Sequence, residues 1–182
     1  MSSDSTKMVV QDTDFENAVK KVVCELPGIE QLYPTQLVLL RLLVKKENIF
    51  ATSPTNSGKT LPALILPSLF IELNNLGYTE YTVEGKVLFV TALNSIQMSM
   101  ISSARQMKLK CESVTEMNVE ELMNSDTAVL FIGPEVLQIS SVAKTLLKFR
   151  QKFILKVVDE AHLCNIVWLT FNTHILISLL RF

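Results

Sequence analysis

Gly58, Lys59 and Thr60 stand together at the end of a small-residue stretch, and a hundred positions later Asp159 and Glu160 stand side by side. A lysine and a hydroxyl on a tight turn suit a polyphosphate and its cation: the ammonium reaches the outer phosphates and the Thr60 hydroxyl ligates Mg²⁺. The paired carboxylates suit the other half of that chemistry. Asp159 would hold the hydrated cation while Glu160 orients and deprotonates an attacking water. Ser53-Pro54-Thr55-Asn56-Ser57-Gly58-Lys59-Thr60 therefore reads as a phosphate-binding loop, with small residues at Thr55, Asn56, Ser57 and Gly58 that let backbone N–H groups turn inward on phosphate. Its first residue is Ser53 where the usual pattern has glycine; serine is small enough to stand there.

Such a loop works only between a buried strand and a helix N-terminus, where the helix dipole adds to the field at the phosphates. The flanks meet that requirement. Ile49-Phe50-Ala51 is a short apolar run, and Leu61 to Leu73 is a long one that reads as a helix. Pro62 falls in its first turn, where a missing N–H costs little, whereas Pro67 is expected to kink or end it. Upstream, Met1 to Asp14 is a polar leader, and Phe15, Val19, Val22 and Val23 have helical spacing up to Pro27-Gly28. A second helix is expected from Pro34, with Leu37, Leu39, Leu40, Leu43 and Val44 inside and Arg41, Lys45 and Lys46 outside.

Downstream the chain alternates. Lys86–Thr91 reads as a strand and Ile96–Met107 as a Met-rich helix, its methionines core filler. Cys111–Thr115 reads as a short edge strand, Val119–Asn124 as a helix and Ala128–Ile132 as a buried strand ending at Gly133-Pro134. A helix with Lys144, Lys148, Arg150 and Lys152 on a solvated face precedes the strand Phe153–Val158, which runs straight into Asp159. Strands alternating with helices imply a parallel α/β sheet sandwiched by helices, with ligands at the strand C-termini, the rim where both halves of the chemistry would meet.

The chain's 182 residues suit one domain with a substantial core. Its 48% hydrophobic and 19% charged content excludes disorder, and a positive mean hydropathy of +0.31 fits strands buried on both faces. A net charge of −1 excludes a globally basic nucleic-acid binder, so any such contact must be local. Cys24, Cys111 and Cys164 are too scattered for a structural zinc site and are expected as small buried hydrophobes in a reducing compartment. The leader has no signal-peptide pattern. Asn165, Asn172 and His174 interrupt the uncharged stretch Leu163–Leu180, arguing against a membrane span.

These segments resemble the superfamily 2 helicases, and in particular the first RecA-like domain of RecQ-type DNA helicases, from Pro27 to His162. Pro27-Gly28-Ile29-Glu30-Gln31-Leu32-Tyr33-Pro34-Thr35-Gln36 is similar to the family's adenine-recognition segment. The resemblance makes Gln36 the reader of the adenine edge and Tyr33 its stacking partner, with tyrosine replacing the family's arginine. Ser53–Thr60 is similar to motif I. Thr91-Ala92-Leu93-Asn94-Ser95-Ile96 resembles motif Ia, which implies a DNA-backbone contact at Ser95; Phe131-Ile132-Gly133-Pro134-Glu135 resembles the proline-glutamate motif, implying another at Gly133 and Pro134. Asp159-Glu160-Ala161-His162 matches motif II, and His162 either couples the nucleotide to a neighbouring domain or satisfies a buried carbonyl.

Past His162 the match decays: Trp168 is displaced from the family's aromatic loop, and no serine-alanine-threonine motif follows. The expected organisation is a leader and helix over 1–25, a RecA-like ATP-binding domain over 26–168 and an irregular apolar tail over 169–182, a truncated form of a longer motor. The resemblance implies ATP and Mg²⁺ as cofactors, nucleic acid as partner with DNA favoured over RNA, a nuclear location, and 3′-to-5′ duplex unwinding in a full-length relative. An RNA helicase of the DEAD or DEAH kind and a non-catalytic nucleotide-binding module are the alternatives.

Overall fold

A computed structural model of the chain describes residues 9–53, 58–92, 94–159 and 175–180, with the side chains of 52, 53 and 175–180 excepted. Six strands, all parallel, form a single sheet in the order β1-β6-β5-β2-β4-β3. In chain order the elements are α1 (Asp12–Cys24), α2 (Pro34–Val44), β1 (Ile49–Ser53), α3 (Leu61–Asn75), β2 (Lys86–Val90), α4 (Asn94–Gln106), β3 (Cys111–Ser113), α5 (Val119–Asn124), β4 (Val129–Ile132), α6 (Pro134–Leu137), α7 (Ser140–Lys148), a 3₁₀ turn (Arg150–Lys152), β5 (Phe153–Val158) and β6 (Ile175–Leu180).

Strand alternation divides the core into two layers. Val87 and Phe89 of β2, Val129 and Phe131 of β4, and Leu155 and Val157 of β5 pack with the buried faces of α1 to α4. The intervening residues Leu88, Val90, Leu130, Ile132 and Val158 pack with α5 and α7. Burial on both faces is why β2 and β4 read as unbroken apolar runs. Phe89 and Phe131 stack across the first layer with ring centroids 5.0 Å apart.

α1 is integrated into that layer. Phe15, Ala18, Val19, Val22 and Val23 are buried in it. Lys21 pairs with Glu72 of α3 at 2.6 Å, and the Tyr78 hydroxyl donates to Asp14 Oδ2 at 2.7 Å while accepting from the Gln11 N–H at 3.1 Å. Arg41 of α2 lies 4.4 Å over the Phe15 ring and pairs with Asp12 and Glu16.

Three sequence expectations change. Pro67 neither ends nor interrupts α3, which continues to Asn75. Ile65, Leu66, Leu69, Phe70 and Leu73 are all essentially inaccessible, and their packing outweighs the lost backbone hydrogen bond. Ile175–Leu180, expected within an irregular tail, form β6, paired with β1 on one side and β5 on the other. Cys24, expected as a buried hydrophobe, is exposed, whereas Cys111 is buried and its thiol, whose Sγ lies 3.6 Å from the Ile101 carbonyl, is pushed up by that burial. Cys164 lies outside the described residues.

Candidate functional site

The sheet is parallel, so every strand delivers its next residue to the same rim. β1 leads toward the phosphate loop, β5 into Asp159, β2 toward Ser95 and β4 into Gly133-Pro134. Thr55, Asn56, Ser57, Glu160 and His162 lie outside the described residues. The remaining candidates fall into three groups along this rim.

The first group is the base-recognition segment joined to the phosphate loop. Gln36 is the third residue of α2 and is 4% exposed. Its Oε1 accepts the Tyr33 N–H at 2.8 Å, and its Nε2 donates to the Gly58 carbonyl at 2.9 Å. The helix N-terminal role and the contact with the nucleotide loop are thus made by one amide. Each end of that amide retains hydrogen-bonding capacity, a second N–H and a second lone pair. Gly58 has φ +70°, a conformation that favours glycine, and a Cβ there would lie 2.4 Å from Gln36 Nε2, so a side chain would displace the Gln36 amide. The Tyr33 ring is 64% exposed, which leaves its face accessible for stacking.

Beside these residues lies a cavity of about 640 Å³, whose lining includes Tyr33, Gln36, Gly58, Thr60, Leu61 and Met100. Ligand cavities of this size are mostly apolar with a few placed polar groups, as here. Met100 of α4 and Met107, the residue that follows the helix, belong to its wall, packed at the edge of the core. Sequence reasoning assigned them to core filling. The signal that marks them is the spacing of Met100, Ser103 and Met107, which puts thioethers and a hydroxyl on one helix face.

The second group is Lys59, Thr60 and Asp159, which line a narrow crevice with Ala51, Phe89, Met100 and Val157. α3 begins immediately after Thr60, whose carbonyl accepts from the Ala63 and Leu64 N–H groups at 3.1 Å. Asp159 continues β5 by one residue, its N–H donating to the Val90 carbonyl at 3.1 Å. Lys59 and Thr60, from the turn before α3, thus meet Asp159, from the end of β5. The donor set fits Mg²⁺, which takes one or two protein oxygens and completes its shell with phosphate and water. Among the described residues no group of three or more His, Cys, Asp or Glu side chains is placed to hold a metal ion.

The third group lies further along the rim. Ser95 is exposed in the first turn of α4, and Gly133 precedes Pro134 at the start of α6. Both follow strands on the far side of β5 from β1, so the candidate nucleic-acid residues are displaced from the phosphate loop along one edge. The expected solvated basic face is partly engaged: Lys148 pairs with Glu120 at 3.3 Å and Lys152 donates to the Met123 carbonyl at 2.9 Å. At the opposite rim a second cavity, of about 540 Å³, contains Lys86, Lys110 and Lys152. Lys86 donates to the Ser125 and Thr127 carbonyls and Lys110 pairs with Asp126, so these lysines are engaged within the protein.

Comparison with known proteins agrees with this geometry. The family described as the type III restriction enzyme, res subunit, matches residues 14–170. No curated protein sequence matches the chain. Among solved structures, the DUF1998 helicase MrfA bound to DNA superposes with a TM-score of 0.64 at 15% identity, covering 96% of this chain and 26% of that one. The same helicase in a structure described without DNA gives a TM-score of 0.59 at 16% identity, covering 100% of this chain and 30% of the other. The chain therefore spans less than a third of the helicase chains it resembles, and at these identities the likeness establishes the fold. No helix among the described residues is long and apolar enough to cross a membrane. With its fold, its rim and a match over most of its length, the chain belongs to the type III restriction enzyme res-subunit family, and its parallel α/β fold is that of a helicase RecA-like domain.

Proposed function

We propose that this chain is the nucleotide-binding half of a RecQ-like, ATP-dependent DNA helicase. The convergence of Lys59, Thr60 and Asp159 on one crevice carries the reading, because residues separated by a hundred positions meet beside the larger cavity of Tyr33 and Gln36, with which the crevice shares Thr60 and Met100. In this reading Tyr33 stacks on adenine, Gln36 reads its edge, and the amides of Thr55, Asn56, Ser57 and Gly58 cradle the phosphates. Lys59 neutralises the outer phosphates. Thr60 and Asp159 hold Mg²⁺, which when bound offsets charge on the phosphate oxygens. Glu160 orients and deprotonates the attacking water, and His162 passes the state of the site to a neighbouring domain.

DNA is the favoured polymer, contacted at Ser95, Gly133 and Pro134 and unwound 3′ to 5′ in the full-length motor. The DNA in one MrfA structure supports that preference. Competition between single-stranded DNA and RNA of equal length is expected to favour DNA; preference for RNA would transfer the reading to a DEAD or DEAH motor. A transition-state arginine supplied from outside the site accelerates related phosphate-loop enzymes by about three to five orders of magnitude. The isolated domain is therefore expected to bind ATP with slow turnover.

The deciding measurement is the affinity for a fluorescent ATP analogue, with and without Mg²⁺, for the wild type and Lys59→Ala. Loss of a charge-assisted phosphate contact of about 1.5–3 kcal/mol weakens binding about ten- to a hundredfold. Equal affinity in all four conditions would remove the basis for the assignment.

A further inference from the structure

β2 ends on a side chain that the fold leaves unsatisfied. Thr91 follows Val90 directly and is 1% exposed, and its Oγ1 is buried without a hydrogen-bond partner among the described residues. A buried hydroxyl in that state costs stability, and valine would fill the same space without the cost. Its surroundings give the hydroxyl a use. The Thr91 N–H donates to the Ile132 carbonyl at 3.1 Å, and the Asp159 N–H donates to the Val90 carbonyl at 3.1 Å. Thr91 therefore occupies the strand C-terminal rim, flanked by Gly133 and Asp159. Phe89, two residues earlier, lines the crevice of Lys59, Thr60 and Asp159, and strand alternation carries residue 91 to the same face.

We propose that Thr91 is a positioning residue of the nucleotide site, whose hydroxyl gains its missing hydrogen bond from the Asp159 carboxylate when Mg²⁺-nucleotide binds. The proposal rests on the nucleotide reading above. Donation from a hydroxyl to an ionised carboxylate is charge-assisted and fixes the carboxylate's orientation, and a hydroxyl this buried would make it directly, without an intervening water. A nucleic-acid contact by this hydroxyl is disfavoured by its burial, since a strand lying over the rim meets no surface of Oγ1.

The test compares wild type, Thr91→Val, Thr91→Ser and Lys59→Ala by thermal unfolding without ligand and by fluorescent-ATP-analogue affinity in Mg²⁺ and in EDTA. Thr91→Val is expected to unfold about 3 °C higher and to lose about tenfold in Mg²⁺-dependent affinity, with its affinity in EDTA unchanged. Thr91→Ser, which keeps the hydroxyl, is expected to retain the wild-type Mg²⁺ dependence. A purely structural hydroxyl would shift unfolding and leave binding untouched. The proposal is overturned if Thr91→Val binds Mg²⁺-nucleotide like wild type while Lys59→Ala does not, or if Thr91→Val weakens single-stranded DNA binding instead. A wild type that binds no nucleotide would overturn the underlying reading, and this one with it.

Discussion

Gly58 is constrained by its backbone conformation, and a side chain there would also force the Gln36 amide to move. Its φ of +70° lies in the left-handed region, and a Cβ would press on the amide that ties α2 to the phosphate loop. Gly58→Ala is expected to cost about 1–2 kcal/mol from the backbone conformation, measured by denaturant unfolding. It should also lower nucleotide affinity by displacing Gln36. Unchanged stability and affinity would mean that the Gln36 contact does not organise the loop. Lys59, Thr60 and Asp159 stand out in the sequence as candidates at this scale because their types and spacing suit the proposed chemistry. The Gln36–Gly58 hydrogen bond was not, since it joins residues 22 positions apart that only folding brings together.

Among the elements, β6 has the largest structural consequence. It lies between β1 and β5, with Ile177 paired to Phe50 on one side and Val158 on the other. Among the described residues, β1 is therefore joined to β5 in the sheet through residues 175–180. Ile177→Pro removes a ladder donor and leaves a carbonyl unpaired, at a cost of about 1–3 kcal/mol. Hydrogen exchange is expected to show β1 losing protection while β2 and β4 keep theirs, and uniform protection across the sheet would contradict the strand order. The sequence reading assigned this stretch to a tail for a physical reason: a continuous apolar run has no period that distinguishes strand from tail. Pro67 was misread in the opposite direction, a strong local signal overridden by the buried surface of α3.

At the scale of the whole molecule, buried titrating groups set how stability depends on pH. Lys156 of β5 is 2% exposed, and burial lowers its pKa from 10.5 to about 8. Lys86 is lowered as well, by burial and then by Lys152. The unfolded chain keeps these protons to higher pH than the folded one, so between about pH 8 and 10 it binds more protons and stability rises with pH. Tyr81 opposes this at the upper end. Burial raises its hydroxyl from 10.0 to about 12, so above pH 10 the unfolded state loses the proton first and stability falls. Denaturant midpoints are expected to pass through a maximum near pH 10, and Lys156→Met should flatten the rising limb. A rising limb of equal slope in that variant would exclude Lys156 as its source.

Composition, apolar periodicity and motif chemistry together determined the α/β class, the positions of β1, β2, β4 and β5, and the candidate residues at the strand C-terminal rim. Those properties are local: they depend on which side chains lie within a few positions of one another. Tertiary structure alone decided that β6 completes the sheet, that α1 belongs to the core, and that Gln36 grips Gly58. It also left the Thr91 hydroxyl, just past β2, buried without a hydrogen-bond partner among the described residues. Each of these depends on contacts between distant segments, whose energies come from edges and surfaces that exist only after the chain has packed.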